Sequence, residues 1–305
     1  MNVIGVTGGL GFLGSNIIPK LLERFDTKIK ILDNMTNACN YINDSDNIEI
    51  IQGDIRNSAD VDSFVDGCNT IIHLAAHTRV IDSIEDPKLN IDININGSFN
   101  IIEAVRKFKV ESIINASTGG AILGEVTPPI NEEIAGKPAS PYGASKASVE
   151  ALCWAYQQSY GIHAASLRFS NVYGPKCKNK ESVVAKFYSD IIKKGSITVY
   201  GDGNQTRDFL YVDDLSEGLI KTLEKRKSGV FQLASSTPLS INNLIEMMRP
   251  IVKRKFDVIY MPSRSGEIEH TYCSIDKAKS ELKWHPQQDI DQGLIKTFEY
   301  CKNIY

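Results

Sequence analysis

The chain alternates short apolar runs with longer stretches in which apolar residues recur at helical spacing. The apolar runs are nearly continuous in Ile and Val, as expected of strands that are buried on both faces. The pattern predicts strands at residues 2–7, 28–33, 48–52, 70–75, 111–117 and 164–169. Between them it predicts helices at residues 12–25, 59–66 and 98–107. Repeated strand–helix units of this kind indicate a parallel sheet with right-handed crossovers.

One further helix is marked by its sequence at both ends. Ser140 can serve as its N-cap, and Pro141 suits its first position. The helix is predicted to run to about Tyr160 and to end at Gly161. Beyond the strand that follows, the alternation loosens. Residues 171–180 are polar and contain a Gly-Pro pair, so a loop is predicted there.

Glycines cluster directly after the first predicted strand, in the run TGGLGFLG. Gly8, Gly11 and Gly14 fit the spacing GxxGxxG, and the same run also fits GxGxxG. Glycine lets the backbone N–H groups at a helix N-terminus approach a phosphate closely. Asp33 ends the second strand, where a carboxylate can bind both ribose hydroxyls and repel a 2′-phosphate. The turn therefore predicts a dinucleotide site that favours NAD, and Asp54 either binds its adenine amino group or caps a local turn.

The glycine turn and the repeated units together define the expected fold class, which is α/β. We expect a Rossmann-like doubly wound parallel sheet with a smaller C-terminal α/β lobe that binds the substrate. Residues 1–170 are predicted to form the NAD-binding domain, and residues 205–235 to return to it. Residues 171–305 are predicted to form mainly the second lobe.

Tyr142 and Lys146 are four residues apart on the predicted helix, so their side chains share one face. A nearby ammonium and an oxidised nicotinamide both stabilise a phenolate, which lowers the Tyr pKa from about 10 toward working pH. Such a Tyr can take a hydroxyl proton while hydride leaves the carbon. The preceding strand ends in Ser117 and Thr118, either of which can bond the reacting oxygen, with Thr118 preferred. The alternative is an ordinary exposed helix pair.

Composition narrows the class of protein. The chain has 305 residues, of which 42% are hydrophobic and 23% charged, as in ordinary globular proteins. A net charge of −3 argues against a general nucleic-acid binder. No apolar run approaches the roughly 20 residues that span a bilayer, and residues 1–14 lack the positive start of a signal peptide. Scattered cysteines and sparse histidines predict reduced thiols, no metal site and a cytoplasmic location.

The motifs together resemble the extended short-chain dehydrogenase/reductase family, in its nucleotide-sugar epimerase and dehydratase branch. The likeness covers nearly the whole chain. Besides TGGLGFLG it rests on the runs GDIR, HLAA, NINGS, SPYGASK, LRFSNVYGP, YGDGNQTRDFLYVDD and LKWHP, in this order. The resemblance implies NAD as the cofactor and a nucleotide sugar, most simply a UDP-sugar, as the substrate.

The resemblance also implies roles for single residues. Lys146 would bond the nicotinamide ribose as well as acting on the tyrosine. Asn171 would contact the sugar diphosphate, and Arg207 and Arg264 would bind its phosphates through their guanidinium groups. The residues that the resemblance further places around NAD are Phe12, Leu13, Asn34, Ile55, Leu74, Ala75, Ala76 and Asn94.

The residues after the catalytic strand bear on the reaction. In this branch hydride passes from the sugar C4 to NAD, and dehydratases carry an Asp-Glu pair directly after the Ser or Thr. Here Thr118 is followed by Gly119 and Gly120, so dehydration is not expected. The run STGGAI resembles compact UDP-glucose 4-epimerases, which return the hydride to the other face of the ketone. Thr271 falls where epimerases carry a gatekeeper, and its small side chain is compatible with 2-acetamido sugars.

Other functions remain open on the sequence alone. A 4-keto-sugar reductase, a decarboxylase or an epimerase acting at another carbon would share these motifs. A catalytically silent NAD-binding sensor is a further alternative, although such proteins commonly lose the Tyr or the Lys. The family is usually dimeric through helices corresponding to residues 98–107 and 144–160, so we expect a homodimer. Neither a membrane nor a nucleic acid is expected as a partner.

Overall fold

The computed structural model describes residues 2–38, 42, 45–179, 182–263 and 269–305. Its centre is a parallel sheet of seven strands. These strands are β1 (Asn2–Thr7), β2 (Thr27–Asp33), β3 (Ile48–Gln52), β4 (Thr70–His73), β5 (Ser112–Thr118), β6 (His163–Phe169) and β10 (Gly229–Leu233). Their order across the sheet is β3-β2-β1-β4-β5-β6-β10. The order reverses between β1 and β4, and ligands of such folds bind in the crevice at the carboxyl ends of these strands.

Helices cover both faces of this sheet, as the doubly wound prediction requires. One face carries α1 (Phe12–Arg24) and α8 (Val212–Lys225), which pack against each other. The other face carries α2 (Ser58–Val65), α5 (Ser98–Lys107) and α6 (Pro141–Tyr160). Between β4 and α5 lie α3 (Val80–Glu85), α4 (Pro87–Ile91) and a π-helical segment, Asp92–Gly97. Each face buries its own apolar core, so the sheet is fixed from both sides.

The remaining elements form a smaller α/β lobe with a core of its own. They are β7 (Asn171–Tyr173), α7 (Val183–Lys194), β8 (Ser196–Tyr200), β9 (Thr206–Tyr211), β11 (Pro238–Ser240), α9 (Ile241–Val252), β12 (Asp257–Met261), a π-helical segment (Ala278–Leu282) and α10 (Ile290–Ile304). They contain a three-stranded sheet, β11-β9-β7, and a pair, β12-β8. Fully buried Tyr188, Leu244, Met248 and Leu294 belong to the core of this lobe.

The α/β fold class is confirmed, and two local predictions are wrong. The strand predicted at 70–75 ends at His73. Beyond it, the backbone N–H of Leu74 donates to the carbonyl of Thr7 and that of Ala75 donates to the Thr7 hydroxyl, so the chain turns at the end of β1. The loop predicted at 171–180 begins with β7, because its backbone pairs with the distant β9 rather than with water. The domain limits stay a prediction, although β10 joins the central sheet and α8 packs on it. No helix in the described ranges combines the length and the apolarity that crossing a membrane requires.

Candidate active site

The glycine turn packs closely between the end of β4 and the start of α1. Gly8 adopts a φ of +65°, and a Cβ added to it would lie 2.9 Å from both the N and the Cα of Ala75. A Cβ on Gly14 would lie 2.3 Å from the carbonyl oxygen of Gly9. Only glycine permits this left-handed conformation and these approaches without strain. The turn therefore leaves backbone, rather than side chain, facing the crevice.

The N-terminus of α1 carries no side-chain cap. Gly11 is the N-cap, and it has no side chain of its own that could hydrogen-bond to the first backbone N–H groups of the helix. Such groups form an anion site at a helix N-terminus. Phe12 and Leu13 begin the helix and pack partly on the apolar core, which anchors this end. A glycine cradle with an uncapped helix end fits the pyrophosphate of a dinucleotide.

Asp33 stands at the end of β2, beside this turn. One carboxylate oxygen accepts from the backbone N–H of Leu10 at 3.0 Å, and the other accepts from that of Met35 at 2.9 Å. The carboxylate is 7% exposed. Its position is thus fixed by the backbone on both sides, as the predicted ribose contact would require.

Asp54 lies at the end of β3, where it pairs with Arg56. The guanidinium bonds both carboxylate oxygens, at 3.0 and 2.8 Å, and with Asn34 it lowers the pKa of Asp54. The backbone N–H of Arg56 also donates to this carboxylate at 2.9 Å. The side chain of the next residue, Ile55, is buried against Gly97. Asp54 therefore does cap its local turn, while its contact with adenine stays a prediction.

A chain of hydrogen-bonded, buried side chains fixes the residues after β4. Thr7 accepts the backbone N–H of Ala75 at 3.2 Å and contacts Nδ1 of His73 at 2.7 Å. Nε2 of His73 lies 2.9 Å from the hydroxyl of Ser98 at the start of α5. Burial lowers the pKa of His73 to about 3, so the ring is neutral. These hydrogen bonds orient the short segment Leu74–Ala75–Ala76 at the crevice. This role of Thr7 and His73 was not predicted from the sequence.

Thr118, rather than Ser117, meets the tyrosine. The side chain of Thr118 interacts with the hydroxyl of Tyr142 and opposes the rise of its pKa, whereas Ser117 donates to Glu150 at 2.5 Å. Part of the Tyr142 ring is accessible, but loss of hydration raises the pKa of its hydroxyl to about 12. The protein's own groups thus give no net lowering of this pKa, contrary to the expectation from the Tyr–Lys spacing, because burial of the phenol outweighs its interaction with Thr118.

Lys146 lies one helical turn below Tyr142. Its Nζ donates to the carbonyl oxygen of Ala116 at 2.9 Å, and the residue is 6% exposed. Burial lowers the pKa of Lys146 to about 8, an effect that the negative charge of Glu150 opposes. At neutral pH the side chain is therefore still mainly an ammonium.

The first turn of α6 is fixed through Asn94. The Asn94 side chain accepts from the backbone N–H of His77 at 2.7 Å and donates to its carbonyl at 2.9 Å. Its amide also donates to Ser145 at 3.1 Å, and Ser145 in turn bonds the carbonyl of Tyr142. Ser83 accepts the backbone N–H of Tyr142 at 3.1 Å. Asn94 therefore orders the first turn of α6, while its predicted place beside NAD stays a prediction; Ser83 and Ser145 were not predicted.

Three of the predicted substrate residues lie on or beside β9, and one of them, Thr271, also contacts the segment after β5. Thr271 is 9% exposed, and its Cγ2 would lie 3.0 Å from a Cβ on Gly120. The backbone N–H of Thr271 donates to the residue before Arg207, and Nη1 of Arg207 bonds the carbonyls of Thr206 and Glu269. Asn171 pairs with Phe209 on β9, beside Arg207. Arg264 lies outside the described residues.

The comparisons with known proteins agree with this geometry. A model of the NAD dependent epimerase/dehydratase family matches residues 4–234. The chain belongs to this family. A putative UDP-glucose 4-epimerase of Methanocaldococcus jannaschii is 37% identical, with 99% of each chain covered. A UDP-glucuronate 4-epimerase of Thermodesulfobacterium geofontis is 31% identical, over 97% of this chain and 95% of its own.

A solved structure shows the same architecture throughout. The UDP-N-acetylglucosamine 4-epimerase from Methanobrevibacter ruminantium M1, in complex with UDP-N-acetylmuramic acid, is 31% identical with a TM-score of 0.92. The match covers 100% of this chain and 99% of that chain. These relatives carry different nucleotide sugars in their names, so the family is defined and the individual sugar is not. NAD is the cofactor of this epimerase/dehydratase, and the glycine cradle at Gly8 and the fixed carboxylate of Asp33 fit it.

Proposed function

We propose that this family member is an NAD-dependent UDP-hexose 4-epimerase that works through a 4-keto intermediate. The observation that carries the proposal is the buried Lys146 side chain one helical turn below Tyr142, whose hydroxyl interacts with the side chain of Thr118. This arrangement lies at the carboxyl end of the sheet, where its fold binds ligands. Tyr142 takes the proton of the sugar C4 hydroxyl, and Thr118 binds the same oxygen.

Tyr142 and Lys146 have different parts in proton transfer. The phenolate form of Tyr142 is costly in a buried site, and the charge of Lys146 favours that form. When bound, oxidised NAD supplies a hydride acceptor for C4 and a positive charge that also favours the phenolate. Tyr142 returns the proton to the C4 oxygen when hydride comes back to the opposite face of the ketone. The reaction is therefore redox-neutral overall and requires no added reductant.

The residues after Thr118 favour epimerisation over dehydration. Elimination of water across C5 and C6 needs an acid and a base beside the 4-keto sugar. In this chain the next two residues are Gly119 and Gly120, which carry no titratable group. Gly119 packs against Gln232 and Cys273, and a Cβ on it would lie 3.0 Å from the Cys273 sulfur. Burial holds the pKa of that thiol well above its usual range, so it is a poor acid.

The first experiment tests the proposal without added cofactor. Purified protein is incubated with UDP-glucose, and separately with UDP-N-acetylglucosamine, and the products are followed by NMR. We expect the C4 epimer to appear at the expense of the substrate, because the hydride is returned within each turnover. Release of NADH, or turnover only with added NADPH, would instead identify a net redox enzyme. Bound NAD without turnover of any nucleotide sugar would identify a silent binder.

The small residues at positions 120 and 271 support use of 2-acetamido sugars. Thr271 contacts Gly120, two residues beyond Thr118, and this pair presents little side-chain volume to the sugar. We predict that Thr271→Tyr lowers kcat/KM for UDP-N-acetylglucosamine by about 10–100-fold, since steric exclusion by a pocket is worth this order. Turnover of UDP-glucose serves as the internal control and should fall much less. Equal losses on both sugars would contradict a gatekeeper role for Thr271.

Two further parts of the proposal concern assembly and substrate binding. Phe99 on α5, with Trp154 and Tyr160 on α6, leaves large apolar surfaces exposed, which supports the expected homodimer through these helices.

Arg207 and Asn171 belong to the smaller lobe and are proposed to hold the nucleotide diphosphate.

A further inference from the structure

The buried face of α6 carries a third ionisable side chain below Tyr142 and Lys146. Glu150 follows Lys146 by one helical turn, so the three side chains occupy one face of the helix. Glu150 is 8% exposed. A carboxylate is rarely buried to this degree unless other groups hold it. Its partners therefore indicate what it does at this place.

Both oxygens of the Glu150 carboxylate are occupied. Arg168 on β6 donates from Nε to Oε1 at 3.0 Å and from Nη2 to Oε2 at 2.8 Å, a bidentate ion pair in which both side chains are buried. Ser117 on β5 donates to Oε1 at 2.5 Å. Bidentate geometry of this kind fixes direction as well as distance. Glu150 is thus immobilised between the helix and two strands of the sheet.

Three consecutive residues of β5 face side chains of α6. The carbonyl of Ala116 accepts from Lys146, the hydroxyl of Ser117 donates to Glu150, and the side chain of Thr118 interacts with the hydroxyl of Tyr142. Three consecutive strand residues therefore meet three side chains on one helix face. A shift of α6 along the strand would break all three contacts together, so Glu150 helps to set the position of the other two.

The titratable and polar groups around Lys146 come from four elements. From α6 they are Glu150 and Cys153, from β4 the neutral His73, from β5 the Ala116 carbonyl dipole, and from β6 Arg168, which is engaged by Glu150. Burial raises the pKa of Cys153 to about 12, so that thiol is neutral. Among these groups Glu150 supplies the negative charge that favours the ammonium form of Lys146.

We propose that Glu150 is a positioning residue for the proposed reaction, holding α6 in register with β5 and keeping Lys146 charged beneath Tyr142. Arg168 and Ser117 orient the carboxylate without removing its effect on Lys146. The inference rests on the proposed function, because it assigns Glu150 a part in proton transfer by Tyr142. Glu150 touches neither the sugar nor the cofactor in this scheme.

The variant Glu150→Gln keeps the size of the side chain and an acceptor for Ser117, and removes the charge. Lys146 loses its ammonium as pH rises, and without Glu150 it loses it at lower pH. We therefore expect the alkaline limb of the kcat profile to move down by about one pH unit or more, the usual effect of one close charge. At about pH 8, where the wild-type side chain is already about half neutral, kcat should fall about five-fold or more, recover largely near pH 6.5, and leave KM and the bound NAD content unchanged.

Two further variants separate this role from a structural one. Asp190→Asn removes a carboxylate of similar burial on α7, paired with Lys186 and Lys194 in the smaller lobe, and should leave the pH profile unchanged. The double variant Glu150→Gln/Arg168→Gln removes both charges and so avoids an unpaired buried guanidinium. Its stability should recover while its alkaline limb stays displaced. A double variant with the wild-type profile would overturn the proposal.

A titration of Lys146 itself is independent of turnover. In protein labelled at lysine Cε, the Lys146 resonance is assigned by its absence from Lys146→Met, and its midpoint is compared between wild type and Glu150→Gln. A lower midpoint in Glu150→Gln supports the proposal even if no UDP-sugar is epimerised, in which case the proposed function alone fails. An unchanged midpoint in an enzyme that does epimerise UDP-sugars overturns the role of Glu150 and leaves the proposed function intact.

Discussion

Tyr142→Phe is expected to reduce kcat by about 10²–10⁴-fold, the range that a positioned general acid–base group contributes. The phenol hydroxyl is the group that interacts with the Thr118 side chain, and its removal leaves the sugar C4 hydroxyl without a proton acceptor. The ring stays in place, because the backbone of Tyr142 is held by Ser83 and Ser145. The bound NAD content should therefore be unchanged. Epimer formation by NMR and the absorbance of the released cofactor measure the two effects separately.

A matched control for this variant lies on the same helix. The hydroxyl of Tyr156 also makes a hydrogen bond, to Glu103 at 2.8 Å, but on the side of α6 that faces α5. Tyr156→Phe should keep full activity, since it removes an identical group away from the crevice. If Tyr142→Phe retained activity close to that of Tyr156→Phe, the proton-transfer role of Tyr142 would be excluded.

The central fold could be predicted because its signals are local. Buried parallel strands are continuous in Ile and Val, and the glycine turn, Ser140 and Gly161 mark element ends in the sequence itself. The structure confirms the capping: Ser140 accepts the backbone N–H of Gly143 at 3.2 Å, and Gly161 adopts a φ of +71°. β7 was missed because its pairing with β9 depends on residues far along the chain, and nothing in its own composition indicates a strand.

The candidate site was predictable only in part, for a related reason. The spacing of Tyr142 and Lys146 places them on one helix face whatever the tertiary structure. The choice between Ser117 and Thr118 depends on where β5 ends relative to the first turn of α6, which spacing does not determine. Glu150 was overlooked because a glutamate four residues after a lysine usually marks a solvated helix face. Its partner Arg168 comes from the next strand, and only the packed sheet brings the two together.

Gly14→Ala is expected to destabilise the fold itself. The added Cβ would lie 2.3 Å from the oxygen and 2.5 Å from the Cα of Gly9, so either α1 or the glycine turn has to move. Overpacking of a buried site costs about 1–3 kcal/mol, and a backbone obstacle cannot rotate away. For a chain of this size we expect the midpoint of thermal unfolding to fall by about 2–4 °C for each kcal/mol.

Gly11→Ala separates this packing from NAD binding, because the two glycines share one turn. Among the described residues, a Cβ on Gly11 would meet only the oxygen of Gly8, at 3.3 Å, and the φ of −76° suits any residue. The thermal midpoint of the NAD-free protein should therefore stay near that of wild type. The new methyl group nevertheless stands at the uncapped N-terminus of α1, so the affinity for NAD, measured by titration, should fall. Equal thermal midpoints for Gly14→Ala and Gly11→Ala would show that close packing of Gly14 on Gly9 does not stabilise this turn. Unchanged NAD affinity in Gly11→Ala would place the pyrophosphate away from the helix N-terminus.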